Sequence, residues 1–167
     1  MERVTPPMNA DERTTLESWL NFYRATLALK SAGLDDERLR VASVQPSPMT
    51  LIGLVQHAAE VERNWFRRVL AGEVAPPIFG PGDHPAGHDG GFEISGDASY
   101  GAAIELWQNE IEHANANCAE RGLDDTSEFM GTRVSLRWIY IHMIAEYARH
   151  CGHADLIRER IDGLTGV

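Results

Sequence analysis

Near the end of the chain, the segment IHMIAEYARHCGHAD from Ile141 to Asp155 carries four side chains able to ligate a cation: His142, Glu146, His150 and His153. At about 100° per residue, with His142 as zero, Glu146 falls near about 40°, His150 near about 80° and His153 near about 20°, so the spacing predicts one helix with all four in a narrow arc. Imidazole nitrogens and a carboxylate oxygen gathered in this way suit a divalent metal. The apolar residues of the same segment, Leu136, Ile139, Met143, Tyr147, Ala154, Ile157 and Ile161, centre near about 100°, which sets Glu146 and His150 on or beside the buried stripe. An ionised carboxylate there is costly unless paired or ligated. Another segment, LIGLVQHAAEVERNW, offers His57 at the edge of a stripe formed by Leu51, Leu54, Val55, Ala58, Val61, Trp65 and Val69. Glu60 and Arg63 follow His57 and are spaced to orient its ring or to meet a bound molecule.

Four helical segments are expected to hold these groups, with no alternating strand pattern competing. The first runs from about Asp11 to Ser31, with Gly33 as its stop signal. Ser47 caps the second, Pro48 to Ala71, with Gly72 past its end. Asp97 or Ser99 opens the third through Leu106, Trp107, Ile111, Ala114 and Cys118, and Gly122 ends it. Ser135 caps the fourth, which carries the His/Glu face and stops at Gly163. Between the second and third lies GEVAPPIFGPGDHPAGHDGGFEISG, a Gly- and Pro-rich connection of a length that is often a lid or a crossover. The connection around residues 33–47 is also long, so the helices need not alternate up and down. The expectation is an all-α four-helix bundle with long crossover connections.

A chain of 167 residues with no internal repeat reads as a single domain, residues 1–167. A net charge of −10 at neutral pH argues against a nucleic-acid surface. No apolar run approaches the roughly 20 residues that span a bilayer, and the first residues lack the apolar stretch of a signal peptide, so no membrane partner is expected and the location is read as cytoplasmic. Cys118 and Cys151 are solitary and form no CxxC, so neither a disulfide framework nor a cysteine-rich zinc site is indicated. Cys118 reads as a small buried hydrophobe, and the four tryptophans as packing residues. His84 and His88 read as loop residues. Glu110 and His113 form one E-x-x-H where a di-iron bundle needs two, and their phase off the stripe of Ile104, Trp107, Ile111 and Cys118 makes them solvated.

The order and spacing of these motifs resemble the DinB-like metal-binding four-helix bundles, a group that includes the thiol-dependent maleylpyruvate isomerases. The carrying features are His57 in its L-x-x-H context on the second helix, Glu146-x-x-x-His150 on the fourth, and a polar residue, His153, three further on. The stretch EYARHCGHADLIRERIDG is particularly similar to an actinobacterial subgroup. The resemblance implies that His57, Glu146 and His150 ligate a divalent metal, with Glu60, His142, His153 and Arg149 around the ligands or the substrate. It implies a small thiol as co-substrate, mycothiol or bacillithiol, a small-molecule substrate, and self-association as a homodimer. Zinc is the first candidate metal, followed by iron, nickel and manganese. The basic residues are nearly all Arg, with Lys30 the one lysine, which hints at a GC-rich genome and makes mycothiol the thiol to test.

Two imidazoles and a carboxylate leave coordination positions open, the mark of a catalytic metal site. Three readings follow: a metal-dependent thiol transferase or isomerase, a non-catalytic metal- or small-molecule-binding stress-response bundle, and a metal-dependent hydrolase on the same residues. In each, Asp83, His84 and His88 sit on a loop suited to covering the open side.

Overall fold

The computed structural model describes residues 1–79 and 90–166 of the chain. Among these, helices dominate: α1 (Glu12–Ser31), a single turn α2 (Asp36–Leu39), α3 (Leu51–Glu62), α4 (Tyr100–Ala119) and α5 (Leu136–Asp162). The chain divides into two compact units, Met1–Leu51 with Arg137–Val167, and Ile52–Leu136.

In the first unit the two long helices run parallel. Their contacts advance together along both: Glu12 with Arg137 at 2.6 Å, Glu17 with the Tyr140 hydroxyl at 3.0 Å, the Tyr23 carbonyl with the Cys151 thiol at 3.5 Å, and the Lys30 and Ala32 carbonyls with Arg158. Asp11 caps α1 by accepting from the Thr14 amide at 3.0 Å. The segment between α1 and α3 is tied down by the Ser43 hydroxyl, which donates to the Ile157 carbonyl of α5 at 3.0 Å. α2 is a feature the sequence reading omits. Its cap, Asp35 accepting from the Arg38 amide at 2.9 Å, is ordinary, but one turn leaves no periodicity to detect.

The second unit pairs the π-helical continuation of α3, Arg63–Leu70, with α4, also in parallel. Arg63 meets Glu110, and Asn117, two turns further along α4, donates to the Phe66 carbonyl at 3.3 Å. Two consecutive helices can run parallel only if the chain between them returns along their length, about 30 Å for the 20 residues of α4. The expected crossover is therefore real. α3 begins at Leu51, three residues later than expected, because the Ser47 hydroxyl accepts from the Met49 amide at 3.3 Å and turns the chain before a helix can start. After Glu62 the helix continues as a π-helix, Arg63–Leu70, a form often found at functional sites.

A β-hairpin, β1 (Thr126–Phe129) with β2 (Thr132–Ser135), corrects the expectation of no strand. Its two-residue loop, Met130–Gly131, has φ values of 49° and 78°, as a type I′ turn requires. Met-Gly is a weak signal for that turn, and three of the four β1 residues carry polar side chains, so no apolar alternation marks the strand. The hairpin packs by Phe129 on Trp65, ring centres 5.0 Å apart, and by the Ser127 hydroxyl donating to the Leu70 carbonyl at 2.8 Å. No described helix is long and apolar enough to cross a membrane.

Candidate functional site

The histidine face of α5 is a connected polar chain. Glu146 Oε1 lies 3.2 Å from His150 Nε2, and Glu146 Oε2 accepts from Arg149 at 3.2 Å. His150 Nδ1 lies 3.3 Å from His153 Nδ1, the two rings edge to face. Burial falls along the chain: the His150 side chain is 10% exposed, Glu146 14% and Arg149 64%. Arg149 is thus an exposed helix charge that still neutralises the carboxylate. His142 stacks flat on Trp138 with ring centres 5.0 Å apart. Burial pushes the His142 imidazole below its ordinary pKa, against the pull of Glu146. His153 is lowered first by burial and then by His150 and Arg149. Both are therefore biased to the neutral imidazole, the form that ligates metals. His153 also lies on the wall of a cavity of about 110 Å³ whose other lining includes Val44, Met49, Leu156 and Ile157.

α3 presents a different environment. Every residue from Leu51 to Glu60 is buried, so Gln56, His57 and Glu60 must find partners inside the protein. They find them in the crossover. His57 Nδ1 lies 2.6 Å from the Gly90 carbonyl, and its ring stacks on Phe92 at 4.1 Å between centres. Gln56, with its amide nitrogen turned to the crossover, donates to the Gly91 and Glu93 carbonyls at 3.2 Å each. Glu60 accepts from the backbone amides of Ile78 at 2.8 Å and Phe79 at 3.2 Å. Arg63 donates to the Pro76 carbonyl at 3.2 Å, and Arg67 to Glu73 at 2.7 Å. A row of polar residues at 56, 57, 60, 63 and 67 thus grips both described ends of the connection.

Glu110 corrects the sequence reading. It is 2% exposed and takes the guanidinium groups of both Arg63 and Arg67. The buried arc of α4 includes Ala103 and Ala114 as well as Trp107, Ile111 and Cys118, which moves its centre to within about 60° of Glu110. Counting only large apolar residues hid this, because alanines mark a buried face weakly. His113 is exposed, as expected. Neighbouring Glu73 is held below the usual carboxylate range by the Asn117 amide and by Arg67. Asp83, His84 and His88 lie outside the described residues.

Cys118 and Cys151 are both free thiols in buried positions. Burial, reinforced by Asp155 and opposed by Lys30, pushes the Cys151 thiol up to about 12. A protein thiolate is therefore not offered near neutral pH by this residue.

A largely helical chain with His57 on α3, the Glu146-x-x-x-His150 pair on its last helix and His153 three residues further on keeps the features by which the sequence resembles the DinB-like bundles. The chain belongs to the mycothiol S-transferase family, whose model, described as Mycothiol-S-transferase, matches residues 15–163. No curated protein and no solved structure matches the chain.

Proposed function

We propose that this protein is a cytoplasmic, divalent-metal-dependent S-transferase that joins mycothiol to a small electrophile, with His57, Glu146 and His150 as the metal ligands. The observation that carries the transferase reading is the family match over residues 15–163. It crosses both compact units, which supports reading the chain as one functional domain.

The donor chemistry supports the metal. His57, Glu146 and His150 offer two imidazole nitrogens and a carboxylate oxygen, a set a single divalent ion takes. Tetrahedral donors about 2.0–2.1 Å from one zinc stand about 3.3 Å apart, and Glu146 Oε1 and His150 Nε2 are 3.2 Å apart. A carbonyl can only accept, so Gly90 assigns the proton of His57 to Nδ1 and makes Nε2 the donor nitrogen of the neutral ring. Zinc is the first candidate, with iron(II), nickel and manganese compatible with the same donors.

A divalent cation held there lowers the pKa of a thiol bound to it, giving thiolate near neutral pH. The sulfur comes from the co-substrate, since Cys151 is buried and holds its proton. In the transfer the mycothiol thiol loses its proton, sulfur forms a bond to the electrophilic carbon, and the leaving group departs with the electron pair of the broken bond and is protonated. Glu146 supplies negative charge beside His150, and Arg149 offsets part of it. The apolar cavity beside His153 suits a small apolar part of the electrophile.

The test is elemental analysis of untagged protein together with turnover of mycothiol and a chromogenic electrophile. Near-stoichiometric metal and conjugation that disappears on chelation are expected. Conjugation that persists in fully metal-stripped protein would overturn the metal reading, and metal-loaded protein that conjugates no thiol would overturn the transferase reading.

A further inference from the structure

We infer that the crossover between α3 and α4 is the positioning device for His57: Gly90, Gly91 and Phe92, seated by Glu60 through Phe79, fix which nitrogen of His57 donates and the plane in which it does so. The inference rests on the metal reading above for its consequence, but its geometry is independent of that reading. An imidazole ligand is set by the hydrogen bond its other nitrogen makes. On α3 that bond reaches a backbone carbonyl 33 residues away in sequence, at 2.6 Å. Phe92, two residues after the accepting carbonyl, lies 4.1 Å from the ring of His57 and 17° from its plane, so one short stretch controls both the tautomer and the tilt.

The glycines allow the approach. Gly90 and Gly91 have φ values of +68° and +84°, backbone that other residues rarely adopt. A Cβ at Gly90 would stand 3.1 Å from His57 Nδ1, against the nitrogen that must be bonded. A Cβ at Gly91 would stand 2.9 Å from the Phe79 ring and 3.1 Å from the backbone of Gln56 and His57. The backbone of this stretch therefore lies directly on α3, and Phe79 backs it. Phe79 is in turn held by Glu60, whose carboxylate accepts from its amide and from that of Ile78. Glu60 thus acts on His57 through Phe79 and Gly91, from one turn along the same helix. It is a positioning residue.

The experiment is nitrogen-15 NMR of the His57 ring in metal-free protein, paired with zinc affinity measured by chelator competition, for wild type, Gly91→Ala, Phe92→Leu, Glu60→Ala and Glu60→Gln. The wild-type ring is expected as the Nδ1-protonated tautomer. Gly91→Ala and Glu60→Ala are expected to mix the tautomers and to weaken zinc binding about 10- to 100-fold, whereas Glu60→Gln, which keeps an accepting oxygen, restores both readouts at least in part. Phe92→Leu keeps a branched apolar side chain, smaller than Phe, but removes the stacked plane, and it carries the test if Gly91→Ala does not fold. Folded variants with the wild-type tautomer and wild-type zinc affinity would overturn the inference. A wild-type protein that binds no zinc would overturn the metal reading alone, and the tautomer in the metal-free variants would still decide the positioning claim.

Discussion

His57 on α3 and His150 on α5 each have a partner at Nδ1, and the two partners differ in kind. The partner of His57 is the Gly90 carbonyl, which can only accept. The partner of His150 is another imidazole nitrogen, on His153, which can donate or accept. In the neutral form one ring is therefore held as a single tautomer by backbone, while the other can exchange tautomers with its neighbour. When His150 Nε2 donates its proton to Glu146, its Nδ1 must accept from His153. When Nε2 is used as a ligand, Nδ1 must carry the proton and donate to His153. The α3 side is preset and the α5 side adapts, and the adaptation needs no movement of the helix because His150 and His153 lie on adjacent turns.

The largest expected effect, common to both histidines, is loss of the proposed ligands. His57→Ala and His150→Ala are each expected to lower zinc affinity by more than about 100-fold, while His113→Ala, at an exposed position, leaves it unchanged, as read by metal content after dialysis. A full complement of zinc in either of the first two would remove that residue from the ligand set.

Next in size is the buried carboxylate under the crossover. Glu110→Ala leaves Arg63 and Arg67, both less than a fifth exposed, facing a vacated site, and is expected to destabilise the fold by about 3 kcal/mol in urea unfolding. The α5 counterpart, Arg149→Ala, removes a largely exposed charge and is expected to shift stability by no more than about 0.5 kcal/mol. Equal effects would erase the contrast between a non-local network and a local one.

His153→Ala sharpens the comparison at the ring itself. Removing the adaptable partner of His150 is expected to weaken zinc about 10-fold, and His153→Gln, which accepts through its amide oxygen, recovers most of it. Unchanged affinity in His153→Ala would mean that His150 needs no partner at Nδ1.

A smaller effect concerns acid. The Glu73 pKa is lowered in the fold by Asn117 first and by Arg67 second. Its contribution to stability is therefore fully present above its unfolded pKa, about 4.3, and is lost as pH falls through the lower folded value. Glu73→Gln should flatten that part of the stability profile below about pH 4.5 and leave the profile at pH 6–8 parallel to wild type. A wild-type acid limb in the variant would show that Glu73 is not its source.

How far these features can be read from sequence follows the same division. The α5 side is made of contacts three and four residues apart on one helix, and helical periodicity alone places Glu146, His150 and His153 together. The parallel run of α3 and α4 agrees with the long connection between them, whose length and glycine content are visible in the sequence. The partners of α3 are not. Spacing reads Glu60 as able to orient the His57 ring or to meet a bound molecule, but does not show that its carboxylate takes the amides of Ile78 and Phe79. Nothing in a local pattern says which loop backbone will return to a buried glutamate. The available signal is Gln56, His57 and Glu60 within the stretch 51–60, which is otherwise apolar on all sides and so requires a polar partner segment. The burial of Glu110 is hard to read because alanines define its face, and the hairpin is hard to read because neither its strands nor its Met-Gly turn carries a strong pattern.

The most direct test of metal-dependent thiol binding is calorimetric titration of mycothiol into zinc-loaded and chelator-stripped protein. Stoichiometric binding to the loaded form is expected, with affinity at least about 100-fold weaker in the stripped form. Equal affinity in both forms, or a loaded form that does not bind the thiol, would contradict a metal-bound thiol.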